Sequence, residues 1–233
     1  MRALPKGTRA VLLDVEGTVG DVRFVHEVLF PYARARLASF VARHAASAEV
    51  APILEETARL ASVPRDDRDA VVRALESWSD ANAKIGPLKA LQGLIWRDGY
   101  REGALRAHLY DDVAPSLHAW TSRGLVVSVY SSGSVVAQRL YFTHSSAGDL
   151  TSLVASYFDT AVGAKGRVES YAVIARALGM HEREVCFFSD APAEIAAARA
   201  AGMHAIRVDR ARAPHEHGHD AAGTEWWGGV AEE

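Results

Sequence analysis

Acidic, hydroxyl and lysine side chains follow four short apolar segments of the chain, at the points where those segments end. These side chains are Asp14, Glu16, Thr18, Ser131, Ser132, Lys165, Asp190 and Glu194. Carboxylates can hold Mg²⁺, whose octahedral shell takes carboxylate and carbonyl oxygens, waters and a substrate phosphate. Lysine and hydroxyl groups can neutralise and orient the oxygens of a transferred phosphoryl group. The combination predicts phosphoryl transfer on a small phosphorylated molecule.

Asp14 is the predicted nucleophile, because a carboxylate that ends an apolar strand can face a metal ion and a phosphate together. Attack by a carboxylate divides hydrolysis into the formation and the breakdown of an aspartyl phosphate. Glu16 lies where a general acid for the leaving oxygen is expected, and Gly17 and Thr18 permit a tight turn that helps to bind the phosphate. Taken alone, Asp14 could instead cap a loop or a helix, and Glu16 could be an exposed loop residue.

The remaining polar residues have predicted functions around the same phosphate. Ser131 and Ser132 are expected to donate hydrogen bonds to phosphate oxygens, together with the N-terminus of the following helix. Lys165 is expected to stabilise the phosphoryl charge, Asp190 to bind Mg²⁺, and Glu194 to support the metal site from the next helix. The alternatives are a serine N-cap cluster, a solvated lysine and an acid favoured by a helix dipole. Only the four motifs together, in this order, are specific.

The elements that must position these residues are short strands alternating with helices. Continuous apolar runs rich in Val and Phe, ended by small polar residues, are typical of strands covered on both faces. The predicted strands are residues 9–13, 125–130 and 184–188, with weaker candidates at 157–162 and 204–208. The predicted helices are residues 113–122, 135–143, 169–178 and 192–201. This alternation predicts an α/β fold with a Rossmann-like, doubly wound parallel sheet.

Residues 24–109 interrupt the alternation with successive helical patterns and no convincing strand. The predicted helices there are residues 31–45, 51–62, 66–84 and 88–109. We therefore expect a catalytic core of residues 1–22 and 110–210, with residues 23–109 inserted as an all-helical cap. Residues 211–233 lack periodicity and are predicted to form a flexible tail, in which the histidines of 215–219 could bind a metal adventitiously.

Composition excludes several classes of protein. The chain has 233 residues, of which 49% are hydrophobic, and a formal net charge of −3. A single cysteine, Cys186, excludes an intramolecular disulfide framework and favours a reducing, cytoplasmic location. We expect no membrane span, since no run of eighteen apolar residues occurs, and no general nucleic-acid binding, which depends on clustered cations. The 26 basic residues include four lysines: Lys6, Lys84, Lys89 and Lys165.

The four motifs resemble those of the haloacid-dehalogenase superfamily of aspartate-nucleophile phosphatases. Most members have Asp two residues after the nucleophile, whereas this chain has Glu16, which is similar to the enolase-phosphatase family of methionine salvage. Longer stretches at residues 21–33, 87–96 and 157–165 also resemble that family. The similarity extends over about residues 9–210, and the chain departs from the family pattern at Val19, Gly20 and Gly166.

The resemblance implies a specific activity and a specific ligand set. It implies Mg²⁺ held by the Asp14 carboxylate, the Glu16 carbonyl and the Asp190 carboxylate, and a monomeric enzyme. It implies substrate contacts from Ser131, Ser132 and Lys165. The family enolises 2,3-diketo-5-methylthiopentyl-1-phosphate and then removes its phosphate, which gives an acireductone. We also expect Glu16 to take the proton during enolisation, because its side chain is one methylene longer than that of Asp.

Other classes of function remain to be weighed against this one. A related small-molecule phosphatase acting on sugar or glycolate phosphates is the main alternative, and Glu16 argues against it. A metal-free dehalogenase is disfavoured by Asp190 and Glu194. A non-catalytic binding protein would not require all of the motif groups. A dinucleotide enzyme lacks support, because no Gly-x-Gly-x-x-Gly follows the first predicted strand.

Overall fold

The computed structural model describes residues 4–210 and 229–230 of the chain. The strands are β1 (Ala10–Leu13), β2 (Val126–Tyr130), β3 (Ser156–Phe158), β4 (Val185–Ser189), β5 (His204–Asp209) and β6 (Gly229–Val230). The α-helices are α1 (Phe30–His44), α2 (Ala51–Ala61), α3 (Arg68–Asp80), α4 (Gly86–Arg101), α5 (Val113–Ser122), α6 (Val135–Thr143), α7 (Val168–Ala177) and α8 (Pro192–Ala200). The chain divides into two compact units. Unit one contains the residues up to Val22 and those from Ala107 onward, and unit two contains Arg23–Arg106.

The sheet of unit one has the strand order β3-β2-β1-β4-β5-β6. The first five of these strands pair in parallel, and β6 pairs antiparallel with β5, with Val208 opposite Val230. Helices α5 to α8 alternate with the strands along the chain. The structure confirms the predicted α/β class with a doubly wound, mainly parallel sheet.

Strand β1 lies in the middle of the sheet and is covered on both faces. Its four residues are fully buried, as its uninterrupted apolar sequence predicted. Ala10 pairs with Val126 on one side and with Val185 on the other. Directly after the strand, the Asp14 amide donates to the Phe188 carbonyl at 3.0 Å. The backbone that carries the predicted nucleophile is therefore held by its neighbouring strand.

Most elements of unit one begin and end close to the predicted bounds, and β3 is the exception. The predicted strand at residues 157–162 ends at Phe158 instead. Its continuation is interrupted by Asp159, whose carboxylate accepts hydrogen bonds from the amides of Ala161 at 2.9 Å and Val135 at 3.2 Å. A local side-chain turn of this kind competes with extended backbone, and it begins the loop that leads to Lys165.

Unit two contains α1 to α4 and a π-helical segment, Phe24–Leu29, which the sequence analysis did not predict. Leu37, Leu75 and Leu91 are among the fully buried side chains of its core. Helix α4 ends at Arg101, short of the predicted residue 109, because the amides of residues 104 and 105 turn back to the Gly99 carbonyl. Within the described part of the chain, no helix has the length and apolar character needed to cross a membrane.

The predicted flexible tail at residues 211–233 lies outside the described residues except at one point. Gly229 and Val230 form β6 on the edge of β5. The histidines of residues 215–219, and the adventitious metal site predicted there, also lie outside the described part of the chain.

Candidate active site

The predicted site residues of unit one follow neighbouring strands at their carboxyl ends. Asp14 follows β1, Ser131 follows β2, Lys165 lies on the loop after β3, and Asp190 follows β4. Those four strands are adjacent in the sheet. Ligands of open α/β sheets bind beyond the carboxyl ends of the strands, so this edge is the expected place for a substrate.

An ion-pair cluster lies at the centre of this edge. The Nζ atom of Lys165 contacts Oδ1 of Asp14 and lies 2.8 Å from Oε2 of Glu194. The Asp14 side chain is 3% exposed and that of Lys165 is 10% exposed. The hydroxyl of Ser189 donates to Glu194 at 2.8 Å and lies 3.3 Å from Oδ2 of Asp14. The structure therefore brings Asp14, Lys165 and Glu194 into direct contact, and Ser189 was missed by the sequence analysis.

The charges of this cluster do not balance. Burial raises the pKa of Asp14 to about 7; Lys165 opposes this shift, whereas Glu194 and Glu16 add to it. Burial also raises the pKa of Asp190, and the negative charges of Glu194 and Glu16 add to that shift. Desolvation disfavours the Lys165 ammonium, but Asp14 and Glu194 outweigh it and raise its pKa. Four carboxyl groups, those of Asp14, Glu16, Asp190 and Glu194, therefore interact with one another and with a single lysine, Lys165. This excess of negative charge favours binding of a further cation.

The turn after β1 is shaped to accept the Asp190 carboxylate. Gly17 has a φ of +80°, and a Cβ atom there would lie only 2.3 Å from Oδ2 of Asp190. The Asp190 amide donates to the Thr18 hydroxyl at 2.9 Å, and Thr18 is fully buried. This contact gives the Thr18 side chain a structural function, and its predicted contact with substrate stays a prediction.

The residues around this turn carry the carboxylate and carbonyl oxygens that a magnesium ion prefers as ligands. In the described residues, no group of three or more His, Cys, Asp or Glu side chains is arranged to hold a metal. A ligand set here therefore needs backbone carbonyls, waters or substrate oxygens beside the carboxylates of Asp14 and Asp190. Mg²⁺ is usually bound in that way, through one or two carboxylates with retained waters and phosphate oxygens.

Ser131 is connected to Glu16 rather than being an isolated phosphate ligand. Its hydroxyl lies 3.2 Å from Oε2 of Glu16, within donating distance, and accepts a hydrogen bond from the Gly133 amide at 3.0 Å. Ser131 is buried, whereas Ser132 next to it is exposed. The pair positions Glu16 across the gap between the β1 and β2 loops. The predicted substrate contacts of both serines stay predictions.

Arg210 holds the turn after β1 from the opposite end of the described chain. Its Nε atom donates to the Thr18 carbonyl at 2.8 Å, and its Nη1 atom lies 2.8 Å from Oδ2 of Asp112. The guanidinium also stacks over the Tyr110 ring, 4.2 Å from the ring centroid. No sequence signal marked Arg210, because its partners are distant in sequence and the chain is rich in arginine.

Three further residues that the sequence analysis missed hold the loop of Lys165. They are Tyr130, Ser170 and Tyr171, each of which donates a hydrogen bond to a backbone carbonyl between residues 163 and 165. The position of a serine and a tyrosine at the start of the helix after Lys165 was visible in the sequence, but their targets were not.

Comparison with known proteins places this chain in a family. The family model described as haloacid dehalogenase-like hydrolase matches residues 8–202. The chain belongs to the haloacid dehalogenase-like hydrolases. The family predicted from the motifs is therefore confirmed, and the protein is an enzyme of the hydrolase class.

Relatives of this hydrolase cover most of its length. It is 52% identical over 202 residues to the Enolase-phosphatase E1 of Parvibaculum lavamentivorans, which is 87% of this chain and 86% of the relative. It is 49% identical over 211 residues to the Enolase-phosphatase E1 of Serratia proteamaculans, which is 91% of this chain and 92% of the relative.

Solved structures give the same result for the fold. The UTR4 protein of Saccharomyces cerevisiae has a TM-score of 0.75 and 32% identity, covering 91% of this chain and 95% of its own. An L-2-haloacid dehalogenase of Xanthobacter autotrophicus has a TM-score of 0.53 and 20% identity, covering 87% of this chain and 78% of its own. The second comparison supports the fold alone.

Proposed function

We propose that this hydrolase is a Mg²⁺-dependent enolase-phosphatase of L-methionine salvage. It converts 2,3-diketo-5-methylthiopentyl-1-phosphate through a phosphorylated enol to the acireductone. Relatives named Enolase-phosphatase E1, 52% and 49% identical, support this choice within the family. The structural observation that carries it is the pair of Glu16 and Ser131, which holds a long carboxylate close enough to Asp14 for its charge to raise the pKa of Asp14.

In the phosphatase half-reaction, an Asp14 carboxylate oxygen attacks phosphorus, and the bond from phosphorus to the substrate oxygen breaks. Glu16 donates a proton to that leaving oxygen, and it then takes a proton from the water that cleaves the aspartyl phosphate. Lys165 favours the ionised form of Asp14 against the effect of burial. The carboxylates of Asp14 and Asp190 and the carbonyl of Glu16 would hold a Mg²⁺ ion, which would neutralise the charge of the phosphate.

In the enolase half-reaction, Glu16 takes a proton from the carbon next to a substrate carbonyl, the electron pair of that C–H bond forms the enolate, and a proton from solvent on the enolate oxygen gives the enol. The Ser131 hydroxyl orients the Glu16 carboxylate for this transfer. Ser132 and Lys165 bind the phosphate that is held during this step. We expect E16Q to lose the absorbance of the enol. Formation of the phosphorylated enol by E16Q at the wild-type rate would contradict this assignment.

The deciding experiment follows enol absorbance and phosphate release separately with the diketo phosphate, with and without Mg²⁺. We expect both signals from the wild-type enzyme only with the metal, and no phosphate release from D14N. Release of phosphate from sugar phosphates or phosphoglycolate without an enol signal would favour the alternative small-molecule phosphatase. Unchanged biological activity of D14N would instead favour a non-catalytic binding protein.

The remaining expectations belong to the same proposal. Unit two, Arg23–Arg106, serves as the all-helical cap of the enzyme. The enzyme works in the cytoplasm as a monomer on a small phosphorylated substrate, without nucleic acid or membrane as a partner. Light scattering across a protein concentration series tests the oligomeric state, and a mass that rises above 25.1 kDa would contradict the monomer.

A further inference from the structure

We propose that three buried hydroxyl groups act together as a positioning device for Lys165. We call Tyr130, Ser170 and Tyr171 the hydroxyl cradle. The inference rests on the proposed function of Lys165 at the phosphate. It adds that the reach of this lysine is set by side chains that do not touch substrate.

The hydroxyl cradle binds three consecutive carbonyl oxygens. Tyr130 donates to the carbonyl of residue 163 at 2.9 Å, Ser170 donates to that of residue 164 at 2.8 Å, and Tyr171 donates to that of Lys165 itself at 2.6 Å. All three donors are buried, with exposures of 0%, 2% and 0%. Each of these partly buried bonds restricts the direction of one peptide unit of the loop.

The backbone of this loop has a conformation that needs such support. Gly163 has a φ of +137°, and a Cβ atom there would lie 2.2 Å from the Ser170 hydroxyl oxygen. The loop therefore packs against Ser170 as closely as a glycine allows. The loop has no repeating backbone hydrogen-bond pattern like that of a helix or a strand. The hydroxyl cradle therefore holds its backbone in place.

The donors of the cradle are themselves rigid. The rings of Tyr130 and Tyr171 pack edge to face with their centroids 5.7 Å apart, and Tyr171 packs in the same way on Phe187 at 5.2 Å. These rings belong to β2, α7 and β4, so the hydroxyl groups are fixed to the sheet core. A tyrosine has few rotatable bonds, and a ring locked in a core places its hydroxyl with little freedom.

The direction of the Lys165 backbone determines where the end of its side chain lies. Its Nζ atom must reach both Asp14 and Glu194, and the residues of that cluster come from three separate loops or helices. A small rotation of the Lys165 peptide moves a side chain with four rotatable bonds off this target. Misplacement of a group that acts on the reacting atoms lowers the rate of an enzyme steeply.

The test uses Y171F, which removes one hydroxyl without changing the ring, and Y157F as the matched control. The Tyr157 hydroxyl is also buried and is without a hydrogen-bond partner among the described residues. With p-nitrophenyl phosphate and Mg²⁺, we expect Y171F to lower kcat about tenfold, because Lys165 is then displaced from the transferred phosphate. KM should change less than twofold, and Y157F should match the wild type.

A double variant separates positioning from general stability. If Tyr171 acts through Lys165, adding Y171F to K165M should lower kcat no further than K165M alone. A full additional tenfold loss in the double variant would overturn the proposal. If Y171F does not fold, S170A removes a second hydroxyl of the cradle and is judged by the same criteria.

A spectroscopic readout makes the test independent of the reaction. The chain has four lysines, so lysine labelled with ¹³C at Cε gives four signals, and K165M identifies the one from Lys165. We expect Y171F to shift or broaden that signal and to leave the other three unchanged. A Lys165 signal that moves no more in Y171F than in Y157F would overturn the cradle. Absence of turnover of the diketo phosphate would instead refute the proposed function. The proposal about the hydroxyl cradle would still be decided by the ¹³C signal of Lys165.

Discussion

Replacing Gly17 with Ala tests whether the turn after β1 must leave room for Asp190. An Ala Cβ atom would lie 2.3 Å from Oδ2 and 2.7 Å from Cγ of Asp190, whereas ordinary contact begins at 3.4 Å. The carboxylate must therefore move by about 1 Å, and a displacement of that size in an active site can cost ~100-fold in rate. We expect G17A to lower kcat for phosphate release by about that factor.

The same substitution also strains the backbone, and a control is needed to separate the two effects. Gly124 has a φ of +79°, almost equal to the +80° of Gly17, and a Cβ atom there would meet nothing within 4 Å. An L residue in this conformation costs about 1 kcal/mol, which lowers Tm by about 2–4 °C in a protein of this size. G124A should show this loss of stability alone.

The assay pairs thermal unfolding of both variants with phosphate release over a range of Mg²⁺ concentrations. G17A should require more Mg²⁺ for half-maximal activity, because the displaced Asp190 carboxylate is a proposed ligand. G124A should retain the wild-type kcat and the wild-type Mg²⁺ requirement. Equal kcat values in G17A and G124A would refute the argument that the Gly17 turn sets the position of Asp190.

Three further outcomes are expected. K165M should lower the rate of phosphate release by about 10²–10³-fold, because a cation at the transferred phosphate is lost. K89M, which changes a lysine at an exposed position, should leave this rate unchanged. Near-normal turnover by K165M would contradict the function assigned to Lys165. R210M breaks an ion pair whose side chains are 9% and 14% exposed, so it should cost about 3 kcal/mol in the free energy of unfolding. R9M, which breaks an exposed pair, should cost less than about 1 kcal/mol by urea denaturation, and equal losses would argue against a structural function of Arg210. Burial raises the pKa of the Cys186 thiol to about 12, so a thiol reagent should label the protein only after denaturation, and rapid labelling of the native protein would show that β4 opens.

The parts of the fold that could be predicted from sequence are those in which local pattern and tertiary packing agree. Strand β1 is a continuous apolar run, and the centre of a parallel sheet demands that pattern. Helices α5 and α6 begin and end at the predicted residues because Gly124 and Ser134 mark their boundaries locally. Parallel strands have their carboxyl ends at the same edge of the sheet. The sequence therefore predicted that Asp14, Lys165 and Asp190, which follow three such strands, lie close together.

The parts that could not be predicted depend on contacts between distant residues. Arg210 reaches the Thr18 carbonyl through a fold that no local spacing reports. The partner of Ser131 is Glu16, although a serine after a strand equally suggests a helix cap or a phosphate ligand. Strand β3 ends early because the Asp159 carboxylate accepts hydrogen bonds from the amides of Val135 and Ala161. In each case the residue type was visible, and the partner was decided by tertiary structure.

The central position of β1 in the sheet has a consequence for how the enzyme is made. The strand nearest the start of the chain pairs with residues 126–129 on one side and 185–188 on the other. A growing chain on the ribosome therefore carries Asp14 long before either neighbour of β1 exists. Late-paired strands of this kind fold slowly and leave apolar edges exposed during synthesis. The Asp14 carboxylate gains its lysine partner only after residue 165 has been made, and the turn beside it gains Arg210 only after residue 210, so the cluster around Asp14 is completed late in synthesis.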